Sequence, residues 1–502
     1  MTINQISPLN SFHEAKNMAT QHWNQFNQWL SETNISYEEV ISHLEQIYNE
    51  MINNKEKYDN FESRSCRVTS LINQYESAKV YRHFRDFGSL KHLNSKKDTD
   101  LDVIIVTVLN SLTSLSEDKL EKLFPTLEQK NFLTSFLEDE QFSRNLYLNL
   151  KKHPKLGVYL LYLDDEVFLQ ATDFLRTNLK QTLEYIPSNS LDSSGFSKMF
   201  RILTSILLYA HYALPNNVEI TDDNFLQILK IGYDFSISHP LIDNILDSNS
   251  ILSDEEKKEL EHFITDILNG IDISQKNPDI QFMKELYRCC NELRKLVPYN
   301  KNNSTYNYIN ITHLAQCEDS HLSMNQKADS NNLFVNILLK AAFIRISAAS
   351  LAEYPIDREF ILNCLIMGLN NQLSNDFEGV LEDYKNEVAT PYTLYLNNAI
   401  TVNPIDITIQ YMLFSSSFYE HSELFIRISL LRFVETIREF IKNFGEHEYQ
   451  IFLDQVLNHS ILSNHRDLLE KIGKMSFYTL DAHQETFLLD YFDNAAKKYI
   501  SN

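Results

Sequence analysis

Two short stretches carry residue types whose spacing could do chemistry. In the first, Asn375, Gly379 and Asp383 fall four residues apart, and on a helix that spacing stacks them on one face. An amide oxygen and a carboxylate so placed can hold a hard cation such as Mg²⁺, which takes carboxylate, amide-carbonyl and water oxygens and keeps several waters. Gly379 supplies no ligand, but it leaves room beside the helix for a water or a phosphate oxygen. In the second stretch Asp243 and Asp247 are again four apart, so a second acidic face is available to oppose the first. The competing explanation of either run is a solvated face, the usual meaning of charge in an acidic chain.

Those residues need helices to position them. Around Asn375 the apolar residues Leu369, Leu373, Phe377, Val380 and Leu381 recur at helical spacing, and Leu241, Ile242, Ile245 and Leu246 do the same around Asp243. Ser253 followed by Glu256 reads as a capping box that opens a helix over Asp254–Asn269. With only 9 Gly and 11 Pro in 502 residues there are too few turn-formers for regularly spaced strands, so an all-α chain is expected.

Earlier in the chain, helices are expected over Tyr37–Tyr48, Asp100–Leu115 and Phe132–Leu150. Asp164, Asp165 and Glu166 form either an acid pair or, more simply, the polar edge of a helix. A Pro-, Ser- and Asn-rich run at Ile186–Ser197 reads as a linker. It separates an N-terminal helical domain (1–190) from an antiparallel helical bundle (195–502). Within the bundle Lys198–Ala213 and Phe225–Ile237 are expected as helices around a polar loop at Asn216–Asp223. Residues 296–312 read as a polar break, with helices resuming at His313, and an apolar stripe runs from Ile405 to Phe444.

Composition narrows the partners. The 45 basic and 68 acidic residues leave a net charge of −23, which argues against nucleic acid and anionic membranes, partners that call for clustered Lys and Arg. The longest apolar stretches, Met199–Leu214 and Leu333–Ala352, are interrupted by Arg201 and His211 and by Lys340 and Arg345, so no integral membrane span is expected. Five cysteines show no CxxC pair and no His/Cys metal spacing, and no amino-terminal signal pattern appears; a reducing cytoplasm suits such a chain.

Order and separation of the motifs resemble the class I isoprenoid synthases, the superfamily of trans-prenyl diphosphate synthases and class I terpene synthases. Asp243-Asn244-Ile245-Leu246-Asp247 resembles their first aspartate-rich motif, with Asn in its second place. Asn375 through Asp383 resembles the second metal motif in its terpene-cyclase form, with Asp383 where Glu is usual. Gln326 and Asp329, Lys340, the run Gly368–Leu373, Lys385 and Thr390-Pro391-Tyr392 are similar to further segments of the family in the same order. Lys198 and Arg201 stand where elongating enzymes grip a second diphosphate, and helix-surface charges explain them equally well. The likeness covers about residues 195–400.

What the resemblance implies is an isoprenoid synthase-type bundle in which Asp243, Asp247, Asn375 and Asp383 hold Mg²⁺. Lys198, Arg201, Lys340 and Lys385 would grip a prenyl diphosphate, and a homodimer is an assembly this reading leaves open. Ionisation of the C–O bond would then give an allylic cation, which the faces of Tyr233, Phe235 or Phe343 could stabilise unless those rings are simply core. A terpene synthase is the leading expectation. A prenyl-elongating synthase is the alternative within that fold, and a non-catalytic helical scaffold the alternative outside it.

Overall fold

The protein is described by a computed structural model over residues 11–53, 141, 165–185, 199, 202–203, 205–206, 209–210, 221–247, 252–271, 281–419 and 422–474. The described residues are helical, with no strand among them, as the sequence leads one to expect. In chain order the helices are α1 (Phe12–Glu32), α2 (Glu38–Asn53), α3 (Asp165–Tyr185), α4 (Asp222–Asp247) and α5 (Asp254–Leu268). They continue as α6 (Gln281–Leu296), α7 (Asn303–Ser320), α8 (Ser330–Leu351), α9 (Arg358–Glu378) and α10 (Val380–Lys385). Last come α11 (Pro391–Leu396), α12 (Pro404–Ser416), α13 (Ser422–Phe444), α14 (Glu446–Val456) and α15 (Arg466–Gly473). The chain divides into two compact units. One comprises 1–99, 311–344 and 357–488; the other comprises 100–310, 345–356 and 489–502.

In the first unit α9 is the central helix, packed on α12 and α13. Asp357 starts it by accepting a hydrogen bond from the Phe360 amide at 2.8 Å, which satisfies one of the orphan donors of the first turn. Near its other end the Phe377 ring meets those of Tyr392, Phe433, Phe440 and Phe452, with centroids 5.4, 6.1, 5.8 and 5.0 Å away. Burial of each such ring is worth about 1.5–3 kcal/mol, so this cluster anchors α9, α11, α13 and α14 together. Gly368 lets α9 approach α8: a Cβ there would lie 3.1 Å from the Ala341 side chain and 3.2 Å from its backbone carbon. The amino-terminal helices belong to this unit, α1 packing on α12 and α2 on α13.

In the second unit α3, α4 and α6 form a three-helix core. The Ser253–Glu256 capping box that opens α5 is present as expected. Two expectations are corrected. Residues 225–247 form part of one helix, α4, which runs through Pro240, where two helices had been expected. Its uninterrupted buried run from Ile231 to Ile237 outweighs the single donor that proline removes. The break expected at 296–312 is short: a 3₁₀ turn at Tyr299–Lys301 leads directly into α7 at Asn303. Tyrosines explain the error, because Tyr306 buries its ring while its hydroxyl donates to the Val297 carbonyl at 2.8 Å.

Several expectations fall outside the described residues: the helix over Asp100–Leu115, the linker at Ile186–Ser197 and the boundary at 190–195. In Phe132–Leu150 only Gln141 is described, and in Lys198–Ala213 only positions 199, 202, 203, 205, 206, 209 and 210; all are helical. Among the described residues one helix, α8, has the length and composition to cross a membrane, and 78% of its apolar window is buried within the protein.

Candidate functional site

The stretch from Asn375 to Lys385 is not one helix. α9 ends at Glu378, Gly379 caps it, and α10 starts at Val380. Amide-to-carbonyl bonds nevertheless carry one-turn spacing through the junction, from Gly379 to Asn375 at 3.2 Å and from Asp383 to Gly379 at 2.9 Å. A Cβ built on Gly379 would lie 3.7 Å from Asp383 Oδ2 and 3.8 Å from the Asn375 carbonyl oxygen. A methyl group at Gly379 would therefore sit in ordinary van der Waals contact with the Asp383 carboxylate.

Around Gly379 the burial is divided. Asn375 and Lys385 are exposed, Asp383 is half-buried, and Asp376 is buried, with Gln372 Nε2 donating to its Oδ1 at 2.7 Å. Glu378 pairs with Arg432 at 2.9 Å. Thr390 and Pro391 make the N-terminus of α11. The Thr390 hydroxyl accepts from the Thr393 amide, the Thr393 hydroxyl accepts from the Thr390 amide, and proline fills the first turn.

Asp243 and Asp247 lie on the last two turns of α4, in the second unit, and the described structure does not extend to their side chains. Asp164, Lys198 and Arg201 lie outside the described residues altogether. Lys340, on α8 in the first unit, has its ammonium 4.0 Å from Asp319 Oδ2, and both side chains are only 16% exposed. Asn336 donates to Asp319 Oδ1 at 2.5 Å and to the Ala315 carbonyl at 2.8 Å. Burial raises the Asp319 carboxyl above the usual range, and Lys340 and the Asn336 bond pull it back. Of the aromatic candidates, Tyr233 and Phe343 are fully buried and Phe235 nearly so.

A second polar cluster, in the core of the second unit, was not singled out from the sequence. Glu285 is 2% exposed. It receives Arg288 through Nε at 2.9 Å and Nη2 at 2.7 Å, and the Thr182 hydroxyl at 2.5 Å. The Thr182 hydroxyl is also 3.0 Å from that of Tyr233. Beside this network Asp234 is buried, and burial pushes its carboxyl up to about 8 against the opposing pull of Arg288. The sequence signal was the three-residue spacing of Glu285 and Arg288, which an interior helix turns into a fork-to-fork pair.

As a test of the implied Mg²⁺, Asn375 and Asp383 supply an amide oxygen and a carboxylate on either side of Gly379, donor types that suit a partly hydrated hard cation. Among the described residues no group of three or more His, Cys, Asp and Glu side chains converges to complete a metal site. Comparison with known proteins adds no family: no family model, no curated protein and no solved structure matches the chain.

Proposed function

We propose that the chain is a non-catalytic helical scaffold. The observation that carries this reading is how the buried polar side chains among the described residues are engaged: they tie helices to themselves and to one another. Glu285 holds Arg288 and Thr182, Asp319 holds Asn336 and faces Lys340, Asp376 holds Gln372, and Thr390 caps α11. Asn363 accepts from the Tyr419 hydroxyl at 2.7 Å, and Asp406 accepts from the Ser460 hydroxyl at 2.5 Å. Bonds of this kind make a helical body rigid and unique in its packing, which is what a platform for other macromolecules requires. The net charge of −23 favours partners with basic surfaces, and the reduced thiols Cys289, Cys290, Cys317 and Cys364 suit the cytoplasm.

A second reading is a class I terpene synthase-like enzyme of isoprenoid synthase-type fold, or a prenyl-elongating relative, acting on a prenyl diphosphate. The specific observation in its favour is the one-turn spacing that carries Asn375, Gly379 and Asp383 through the helix junction. Asn375 and Asp383 would hold Mg²⁺, Asp243 and Asp247 being the further metal ligands the resemblance implies, and Mg²⁺ when bound neutralises the charge of a leaving diphosphate. Lys340 and Lys385 would add positive charge for the same group.

One experiment separates the two. The full chain is incubated with a panel of allylic diphosphates with and without Mg²⁺, and diphosphate release and products are followed by mass spectrometry. The scaffold predicts no Mg²⁺-dependent release, together with salt-sensitive co-purification of basic partners that survives in Asn375→Ala and Asp243→Ala. Mg²⁺-dependent release that both substitutions abolish, with unchanged thermal unfolding, would overturn it in favour of the enzyme. Dependence of that release on isopentenyl diphosphate would then identify elongation.

A further inference from the structure

His22 sits in the middle of α1 with almost no access to water, 3% exposed. Its Nε2 lies 2.7 Å from the Tyr411 hydroxyl of α12, and that hydroxyl lies 3.3 Å from the Leu365 carbonyl of α9. Since the carbonyl can only accept, the tyrosine proton goes to Leu365 and the imidazole donates from Nε2. Nδ1 is then a bare lone pair, buried and without a hydrogen-bond partner among the described residues. The walls around the ring are aromatic: Tyr411, Phe414 and Phe418, at centroid distances of 5.9, 5.5 and 6.2 Å.

A proton added at Nδ1 would place an N–H and a positive charge in that pocket. Among the described residues, the titratable group touching the ring is the Tyr411 hydroxyl, whose own ionisation burial drives far up. Beyond it, α9 presents the Leu365 carbonyl and the Asn363 side chain, which accepts from the Tyr419 hydroxyl. No carboxylate among the described residues acts on the imidazole, and burial is the sole cause of its lowered pKa. On α1 itself the charged Lys16 pairs with Glu318 of α7 at an exposed position.

We propose that His22 makes the docking of α1 on α12 acid-labile: the neutral ring holds the helix in place, and protonation releases it. The two halves of this statement rest on the same geometry. A neutral imidazole fits because one nitrogen is bonded and the rest of the ring is apolar, whereas an imidazolium has a second donor with nowhere to send it. Release would bare the contact faces of Tyr411, Phe414 and Phe334, which Phe26 and Trp23 now cover.

The direction and size follow from linkage. Docked, the ring titrates at about 4, and released it returns to its ordinary 6.5. The released form therefore binds the proton more readily throughout that window. Docking is at full strength above pH 6.5, weakens tenfold per unit below it, and levels off below about 4, a total of about 300-fold in the docking equilibrium.

The chain supplies its own probe, because its two tryptophans, Trp23 and Trp29, are both on α1. The test measures amide hydrogen exchange of α1 in the full-length protein from pH 7.5 to 4, corrected for intrinsic exchange, with tryptophan emission read in parallel. Expected is a loss of α1 protection on the order of 100-fold or more between pH 6.5 and 4, with a red-shifted emission as the opening becomes populated. In His22→Gln, whose side-chain amide can still donate to Tyr411 but cannot titrate, the loss should disappear. An equal loss of α1 protection in that variant would overturn the proposal, and so would unchanged protection in the wild type. Should His22→Gln fail to fold, the ring titration of His22 in the isotope-labelled wild-type protein decides instead: a value near 4 supports the latch, and one near 6.5 refutes it.

Discussion

Replacing Asp234 by Asn should stabilise the protein, and increasingly so as the pH rises. Asp234 lies 4% exposed on α4, where burial raises its carboxyl from 3.8 to about 8; Arg288 and Lys295 pull it down, and Glu292 and Glu285 push it up. In the unfolded chain the same carboxyl ionises near its ordinary value, so above pH 3.8 the native state holds a proton that the unfolded state has given up. The stability this side chain contributes is therefore fully present below pH 3.8 and is lost as the pH rises toward 8, beyond which the loss is constant. Each pH unit in that window is worth about 1.4 kcal/mol, so between pH 5 and pH 7 the wild type should lose about 3 kcal/mol through this one group. Asn keeps the shape and neutrality of the protonated acid and titrates nowhere. Urea denaturation of both proteins at pH 5, 6, 7 and 8 isolates the effect as the difference between their slopes. Hydrogen exchange in α4 and α6 assigns it to the second unit. Parallel pH profiles, or an Asp234→Asn variant less stable than wild type at pH 8, would show that the carboxyl is ionised and paired in the native state.

Glu285→Ala should cost about 3–5 kcal/mol, because it strands the half-buried Arg288 guanidinium and the Thr182 hydroxyl; adding Arg288→Met should recover much of that loss in the same denaturation measurement. Phe377→Ala should cost a similar 3–5 kcal/mol by emptying the centre of a five-ring cluster, read as a lowered denaturation midpoint and faster amide exchange in α9 and α13.

Much of this architecture was legible in the sequence because it rests on local signals. Scarcity of Gly and Pro announced an all-helical chain, Ser253 and Glu256 announced α5, and the apolar repeat at Leu369, Leu373 and Phe377 announced the buried face of α9. Legibility failed where tertiary packing outweighed a local cue. Pro240 did not stop α4, since the buried run before it holds the helix, and the asparagine-rich segment before His313 became helix because its tyrosines had somewhere to bury. At the candidate site the spacing of Asn375, Gly379 and Asp383 was right, but the uninterrupted helix was not: glycine, weak inside a helix, ends α9 here. The Glu285 network escaped notice for another reason. Its members come from α3, α4 and α6, and only Glu285 and Arg288 are neighbours in sequence.

The register at Asn375 and Asp376 bears directly on which function fits. Successive residues of a helix point about 100° apart, so one of this pair can face the interior while the other faces water. Here the full carboxylate goes inside, to Gln372, and the neutral amide goes to water. A cation held by α9 and α10 alone would thus be held by Asn375 and a half-buried Asp383. In water a charge pair at 4 Å is worth about 1 kcal/mol, against about 4 near a protein surface that excludes some of the solvent. Such a site becomes strong only when further oxygen ligands displace that water. If they do, Asp383→Asn should weaken Mg²⁺ binding and turnover together. If they do not, Gly379 is simply the junction of two helices, the Asp376–Gln372 bond is what fixes α9 in its packing, and the chemistry of this stretch is the chemistry of holding helices in place.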